Sequence, residues 1–192
     1  MHSFFNWLIE NDYYIGKNPI KRIKAQDMPI TVIPQHHEEM ILANLEGEQY
    51  RIIKFLFMTG FRISEALQLH WGDIDWNDNI ILVNNIKGKR IDYFPLYPKL
   101  KEFLLSFYHN QPASDKVFAY SNRTSMKFFR RTLNKLNLPP YTIHSIRKTF
   151  ASRYAEKLTA KETREILRHR DIRTTLKYYV KVDLQAIGDK LG

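Results

Sequence analysis

Two arginines, two histidines and a tyrosine, spread over four short stretches of the chain, form a set whose chemistry fits together. They are Arg62 in Thr59-Gly60-Phe61-Arg62-Ile63-Ser64-Glu65, His144 and Arg147 in His144-Ser145-Ile146-Arg147, His169 in Leu167-Arg168-His169, and Tyr178 in Thr174-Thr175-Leu176-Lys177-Tyr178. Arginine forks grip phosphate oxygens, imidazoles exchange protons near neutral pH, and a tyrosine oxygen can act as a covalent nucleophile. Together they suit work on a phosphodiester. Singly, each also has an ordinary reading. Arg62 and Glu65, three apart at a helix start, can be a surface ion pair. His144 and Arg147, spaced i, i+3 and so on one helix face, can be a structural histidine beside a solvated arginine. His169 precedes a turn, and a helical Tyr178 can simply pack.

The elements that must position this set follow from periodicity. Apolar residues recur at helical spacing over 35–45 and 48–59, with Gly60 placed to end the second helix, and again over 62–69. After Trp71-Gly72-Asp73 the pattern shortens. Ile80-Ile81-Leu82-Val83 and Ile91-Asp92-Tyr93-Phe94 read as strands around the turn Lys87-Gly88-Lys89, and Lys116-Val117-Phe118-Ala119 reads as a third strand. Helices are expected again over 98–109, 124–137, 143–156, 160–168, 173–181 and 183–191. The fold class expected is therefore α+β, mainly α-helical, with a small three-stranded antiparallel sheet inserted among the helices. Residues 1–24 read as the tail of a further domain, with an apolar helical face at 4, 5, 8 and 9. Residues 25–33 read as a linker kept extended by its prolines, 34–182 as the main domain, and 183–192 as a tail helix.

Composition narrows the partners. The 192 residues are 44% hydrophobic and 26% charged, ordinary for a chain that builds its own core. No apolar run approaches a membrane span, the start lacks a signal-peptide pattern, and zero cysteines exclude disulfides and thiolate metal sites. An intracellular, soluble protein is expected. The net charge of +10 is unevenly distributed: residues 123–181 hold 16 Lys/Arg against 4 Asp/Glu, and the rest holds 14 against 16. The positive excess thus surrounds His144, Arg147, His169 and Tyr178. A solvated basic surface is one explanation. A polyanion is the better one, because clustered like charge repels itself unless it steers something negative. A membrane surface fits less well, since the basic helices lack an aromatic-flanked amphipathic anchor.

In order and spacing, these stretches resemble the tyrosine recombinase (phage integrase) family. Its signature is an early Arg, a hairpin Lys, His-x-x-Arg, a later His or Trp, and a Tyr nine residues beyond. Thr59-Gly60-Phe61-Arg62-Ile63-Ser64-Glu65-Ala66-Leu67 is similar to the first box, with Glu65 as its supporting acid. Asn85-Ile86-Lys87-Gly88-Lys89 before Phe94-Pro95-Leu96 is similar to the hairpin, and His169 stands nine residues before Tyr178. The resemblance covers about residues 30–181 and implies a catalytic set of Arg62, Lys87, His144, Arg147, His169 and Tyr178. The spacing selects Tyr178 over its neighbour Tyr179.

One departure stands out. The family usually has Leu-Gly-His where this chain has Leu167-Arg168-His169, and glycine there would let the helix end adopt positive φ. Arginine predicts a strained or shifted end and affects the aim of His169.

The resemblance implies cleavage and rejoining of double-stranded DNA through a 3′-phosphotyrosine, without metal, ATP or cofactor, in a DNA-associated cytoplasmic protein of prokaryotic type. Lys127, Arg130, Arg131 and Lys135, recurring along helix 124–137, are the expected backbone contacts; plain solvation is the alternative. Leu184, Ile187 and Leu191 share one face of the tail, which either docks on its own domain or is exchanged between protomers of a tetramer on DNA. Two other functions fit the same groups: a DNA-binding accessory module without catalysis, and strand passage of the type IB topoisomerase kind. The short hairpin and the lack of a long helical linker before Tyr178 weigh against the second.

Overall fold

The computed structural model describes residues 2–19, 31–85, 90–155 and 157–168. The expected segments 20–30, Lys87 at the hairpin tip, and everything from His169 to the C-terminus, including Tyr178 and the tail helix, lie outside the described residues. Helix α1 (His2–Glu10) carries the apolar face read from the sequence, and Phe4 and Trp7 on it are exposed.

The centre of the main domain is α3 (Gly47–Thr59), preceded by α2 (Gln35–Ala43). Ile52, Ile53, Phe55, Leu56 and Phe57 are all buried, so α3 is covered on nearly every side. It ends where the sequence predicts: Gly60 has φ 62°, and its N–H donates to the Leu56 carbonyl at 2.8 Å. Across it runs α7 (Ile143–Ala155), whose Phe150 lies against Gly60. A Cβ on residue 60 would stand 2.5 Å from Phe150 Cδ1 and 2.8 Å from Cγ. Gly60→Ala therefore combines a left-handed backbone with overpacking, and is expected to destabilise the domain by about 3 kcal/mol. A fall in the urea midpoint with unchanged m-value would register it; an unchanged midpoint would contradict it.

Helix α4 (Ile63–Ala66) is only one turn long, shorter than the expected 62–69. A 3-10 turn (Trp71–Asp73) leads into β1 (Ile74–Asp75), β2 (Ile80–Asn85) and β3 (Arg90–Pro95), an antiparallel sheet in the order β1-β2-β3. The expected third strand at 116–119 is corrected. Lys116 makes one isolated bridge to His70, and the third strand is Ile74–Asp75, paired with Ile81 and Ile80. The physical reason is the turn after β1, where Asp75 Oδ1 accepts from the N–H groups of Asn77 and Asp78, both at 2.9 Å, and folds the chain straight back into β2. Val117 and Phe118 are both buried, which a half-covered strand would not allow for neighbours.

Ile81 and Phe94, paired across β2 and β3, are both buried, and Phe94 packs on Phe61. Phe55, Phe61 and Phe94 form a chain of edge-on rings with centroids 5.1 Å apart at each step, an arrangement that adds about 1 kcal/mol per pair beyond area burial. It ties α3, the loop before α4 and β3 into one support. The remaining helices are α5 (Pro98–Leu105), α6 (Asn122–Lys135) and α8 (Ala160–Leu167). Ser121 caps α6 by accepting from the Thr124 N–H, and Thr159 and Glu162 form a reciprocal capping box on α8. Among the described residues, no helix is long and apolar enough to cross a membrane.

Candidate active site

The site is organised by one carboxylate. Glu65 lies on α4 with its side chain 8% exposed, and three arginines from separate parts of the chain converge on it. Arg62, the residue before α4, donates to Oε1 from Nη1 at 2.5 Å and to Oε2 from its backbone N–H at 2.8 Å. Arg168 Nη2 reaches Oε2 at 2.6 Å, and Arg147 Nη1 stands 3.8 Å from the same oxygen. Burial raises the Glu65 pKa, but the charge and hydrogen bond of Arg168, the charge of Arg147 and the Arg62 N–H outweigh it. The net effect holds the acid below its ordinary value. Three guanidiniums against one carboxylate leave a surplus of two positive charges, suited to an anionic ligand.

The two arginines singled out in the sequence differ in setting. Arg62 has a side chain 40% exposed and open to solvent. Arg147 is buried at 3%, its Nη1 donating to the Gly60 carbonyl at 2.7 Å and its Nη2 to the Leu167 carbonyl. It thus stitches the end of α3 to the end of α8. The left-handed Gly60 is what turns its carbonyl toward α7, so the tight approach of Phe150 and the placement of Arg147 have one cause.

His144 lies one turn before Arg147 in α7 and remains exposed. Desolvation of its ring, and then the charges of Arg147, Lys148 and Arg62, hold its pKa below the ordinary histidine value. It is therefore neutral at physiological pH and able to accept a proton. The helix start that carries it is fixed by reciprocal bonds: Thr142 N–H to Ser145 Oγ at 3.1 Å, and Ser145 N–H to Thr142 Oγ1 at 3.2 Å.

Arg62, Glu65, His144 and Arg147 are thus brought together, while Lys87, His169 and Tyr178 lie outside the described residues. The basic residues of α6 lie on its outer face. Lys127, Arg130, Arg131 and Lys135 are all exposed, opposite the buried Phe128, Phe129, Thr132 and Leu133. Lys127 and Arg130, with Arg123, line a cavity of about 440 Å³ that Tyr141 and Thr142, just before α7, also line; Arg131 and Lys135 are not in that lining. The structural contribution of Arg168 was not assigned from sequence. Its only signal there was an arginine where the family's pattern has glycine.

A mostly helical domain thus gathers three arginines, from the start of α4, from α7 and from the end of α8, around one buried carboxylate, with only Arg62 open to solvent. The chain belongs to the phage integrase family, which it matches over residues 31–185, the catalytic domain of the tyrosine recombinases. A probable integrase/recombinase of Acholeplasma phage L2 is 31% identical over 145 residues, covering 71% of this chain and 50% of that relative. A putative integrase/recombinase of Sinorhizobium fredii is 28% identical over 189 residues, covering 93% of this chain and 61% of that one. Among solved structures, the Tn1549 transposon integrase in complex with circular intermediate DNA shares the fold. Its TM-score is 0.73 at 22% identity, over 100% of this chain and 75% of that one. The chain spans about half to three-fifths of the length of the two relatives named.

Proposed function

We propose that this chain is the catalytic part of a site-specific DNA recombinase of a mobile element, which cuts and rejoins duplex DNA through a 3′-phosphotyrosine. The observation that carries the reading is the junction of Arg62 and Arg147 through Glu65, with His144 one turn before Arg147 on α7. A phosphodiester transition state gathers negative charge on its non-bridging oxygens, and fixed guanidiniums stabilise that charge. Arg62 and Arg147 take this role, and His169 adds a hydrogen bond.

Tyr178 Oη attacks phosphorus in line, forming the phosphotyrosine bond as the bond to the 5′ oxygen breaks. A tyrosine pKa is ordinarily about 10, so His144 accepts the phenolic proton. Lys87, carried between β2 and β3, delivers a proton to the departing oxygen. The covalent intermediate conserves bond energy, so a 5′-hydroxyl reverses the step without ATP, and the guanidiniums supply the positive charge a metal would otherwise provide. Lys127, Arg130, Arg131 and Lys135 hold the duplex backbone. Protomers assemble on DNA as a tetramer.

The test uses a pool of nicked duplexes with randomised sequence around the nick, placed so that the short 5′ product diffuses away. A denaturant-resistant protein–DNA adduct is expected, and peptide mapping should locate the 3′-phosphate on Tyr178. An adduct on Tyr179 would move the nucleophile by one residue. No adduct from a chain that binds the pool would reduce it to a DNA-binding module.

A further inference from the structure

Arg168 ends α8 with φ 54° and ψ 42°, a left-handed conformation that side-chain-bearing residues rarely adopt. Such a conformation persists where surrounding contacts over-determine it, and here they do. The Arg168 backbone N–H donates to the Glu165 carbonyl at 3.0 Å. Its Nη1 donates to the Ile166 carbonyl at 2.8 Å and its Nη2 to Glu65 Oε2 at 2.6 Å. The guanidinium carbon sits 4.3 Å above the centre of the Phe61 ring. The residue is 3% exposed. Its guanidinium is committed to the Glu65 carboxylate, the Ile166 carbonyl and the Phe61 ring, so its effect on the site runs through those neighbours.

Those neighbours are the site. Arg168 occupies Glu65 Oε2 at hydrogen-bond distance, while Arg147 stands off the same oxygen at 3.8 Å and spends its two terminal nitrogens on the Gly60 and Leu167 carbonyls. Leu167 directly precedes Arg168, so one helix end is gripped by Arg147 and anchored to Glu65 by Arg168. Without the third arginine, Oε2 would be open to Arg147, and closing that gap would pull its guanidinium from the position the two carbonyls define.

We propose that Arg168 is a positioning residue: by filling Glu65 Oε2 from the left-handed end of α8, it fixes the separation of the Arg62 and Arg147 guanidiniums before a phosphodiester arrives. The proposal rests on the reading of this site as one that cleaves DNA. It also accounts for arginine at the α8 terminus, where backbone geometry alone would favour glycine.

The test compares the unsubstituted chain with Arg168→Gly, which suits the observed φ, and Arg168→Lys, which keeps a cation but loses the fork. Adduct formation is followed under single turnover with the nicked pool, at increasing DNA concentration. The glycine variant is expected to lose about 10- to 100-fold in rate at saturation, by analogy with the loss of groups that orient metal-ligating side chains. Its half-saturating DNA concentration should stay within about twofold, and the lysine variant should be intermediate.

A merely structural role would instead lower the amplitude of adduct and leave the rate of the surviving fraction unchanged. That result, or an unaltered rate in both variants, overturns the proposal and leaves the reading of the site standing. Should the glycine variant not fold, the lysine variant alone decides: an unaltered rate at saturation overturns the proposal and a reduced one supports it. If the unsubstituted chain forms no adduct, the reading falls and the proposal with it.

Discussion

Glu65→Gln is expected to destabilise the domain by about 3–5 kcal/mol at neutral pH, the cost of leaving buried charge uncompensated. The substitution is nearly isosteric, so packing changes little and the loss is electrostatic. Arg168, with a side chain 1% exposed, and Arg147, at 3%, lose their shared counter-ion together. Arg62 matters less to this figure, because its side chain is 40% exposed and solvent screens it. The pH dependence supplies an internal check. The folded-state pKa of Glu65 lies below its ordinary 4.5, so the folded chain binds this proton less readily than the unfolded one. The carboxylate's stabilisation is fully present above about pH 4.5 and is lost as pH falls through the lower folded value. The gap between the two proteins in urea midpoint should therefore narrow on acidification below that point. A variant that unfolds at the same urea concentration at pH 7 would refute the idea that Glu65 is the electrostatic centre of the site.

That centre was only partly legible in the sequence. The spacing of Arg62 and Glu65, the glycine after an apolar helix, and the i, i+3 pair His144/Arg147 are local patterns, and local patterns survive folding. Gly60 does cap α3, and Arg62 does pair with Glu65. The depth of each group is not local. Spacing places His144 and Arg147 on one face, but only the packing of α7 against α3 leaves the histidine exposed and sinks the arginine. Arg168 is the extreme case. Its oddity was visible one residue before His169, yet its partner is 103 positions away in sequence. The third strand failed for the opposite reason. A two-residue strand such as Ile74–Asp75 has too few residues for alternation to register, while Lys116–Ala119 has strand-like composition because Val117 and Phe118 fill the core from a loop.

The different depths of the two arginines predict that equal losses of cleavage will come with unequal losses of stability. Either arginine replaced by methionine removes a fixed donor from the scissile phosphate, and each substitution is expected to slow adduct formation by about 10²–10³-fold. Arg62→Met should change folding stability by less than about 1 kcal/mol, since a half-exposed ion pair contributes little. Arg147→Met should cost about 3–5 kcal/mol, because the buried Gly60 and Leu167 carbonyls lose their donor at once and each unsatisfied group costs about 1–3 kcal/mol. Thermal unfolding beside single-turnover cleavage, both at neutral pH, separates the two outcomes. If Arg62→Met unfolds as readily as Arg147→Met, the exposed arginine is a structural element and not an open phosphate ligand. If Arg147→Met melts early but its folded fraction reacts at the normal rate, Arg147 braces α3 against α8 without reaching the phosphate. The assignment of two arginine ligands requires that both variants lose rate and that only one loses the fold.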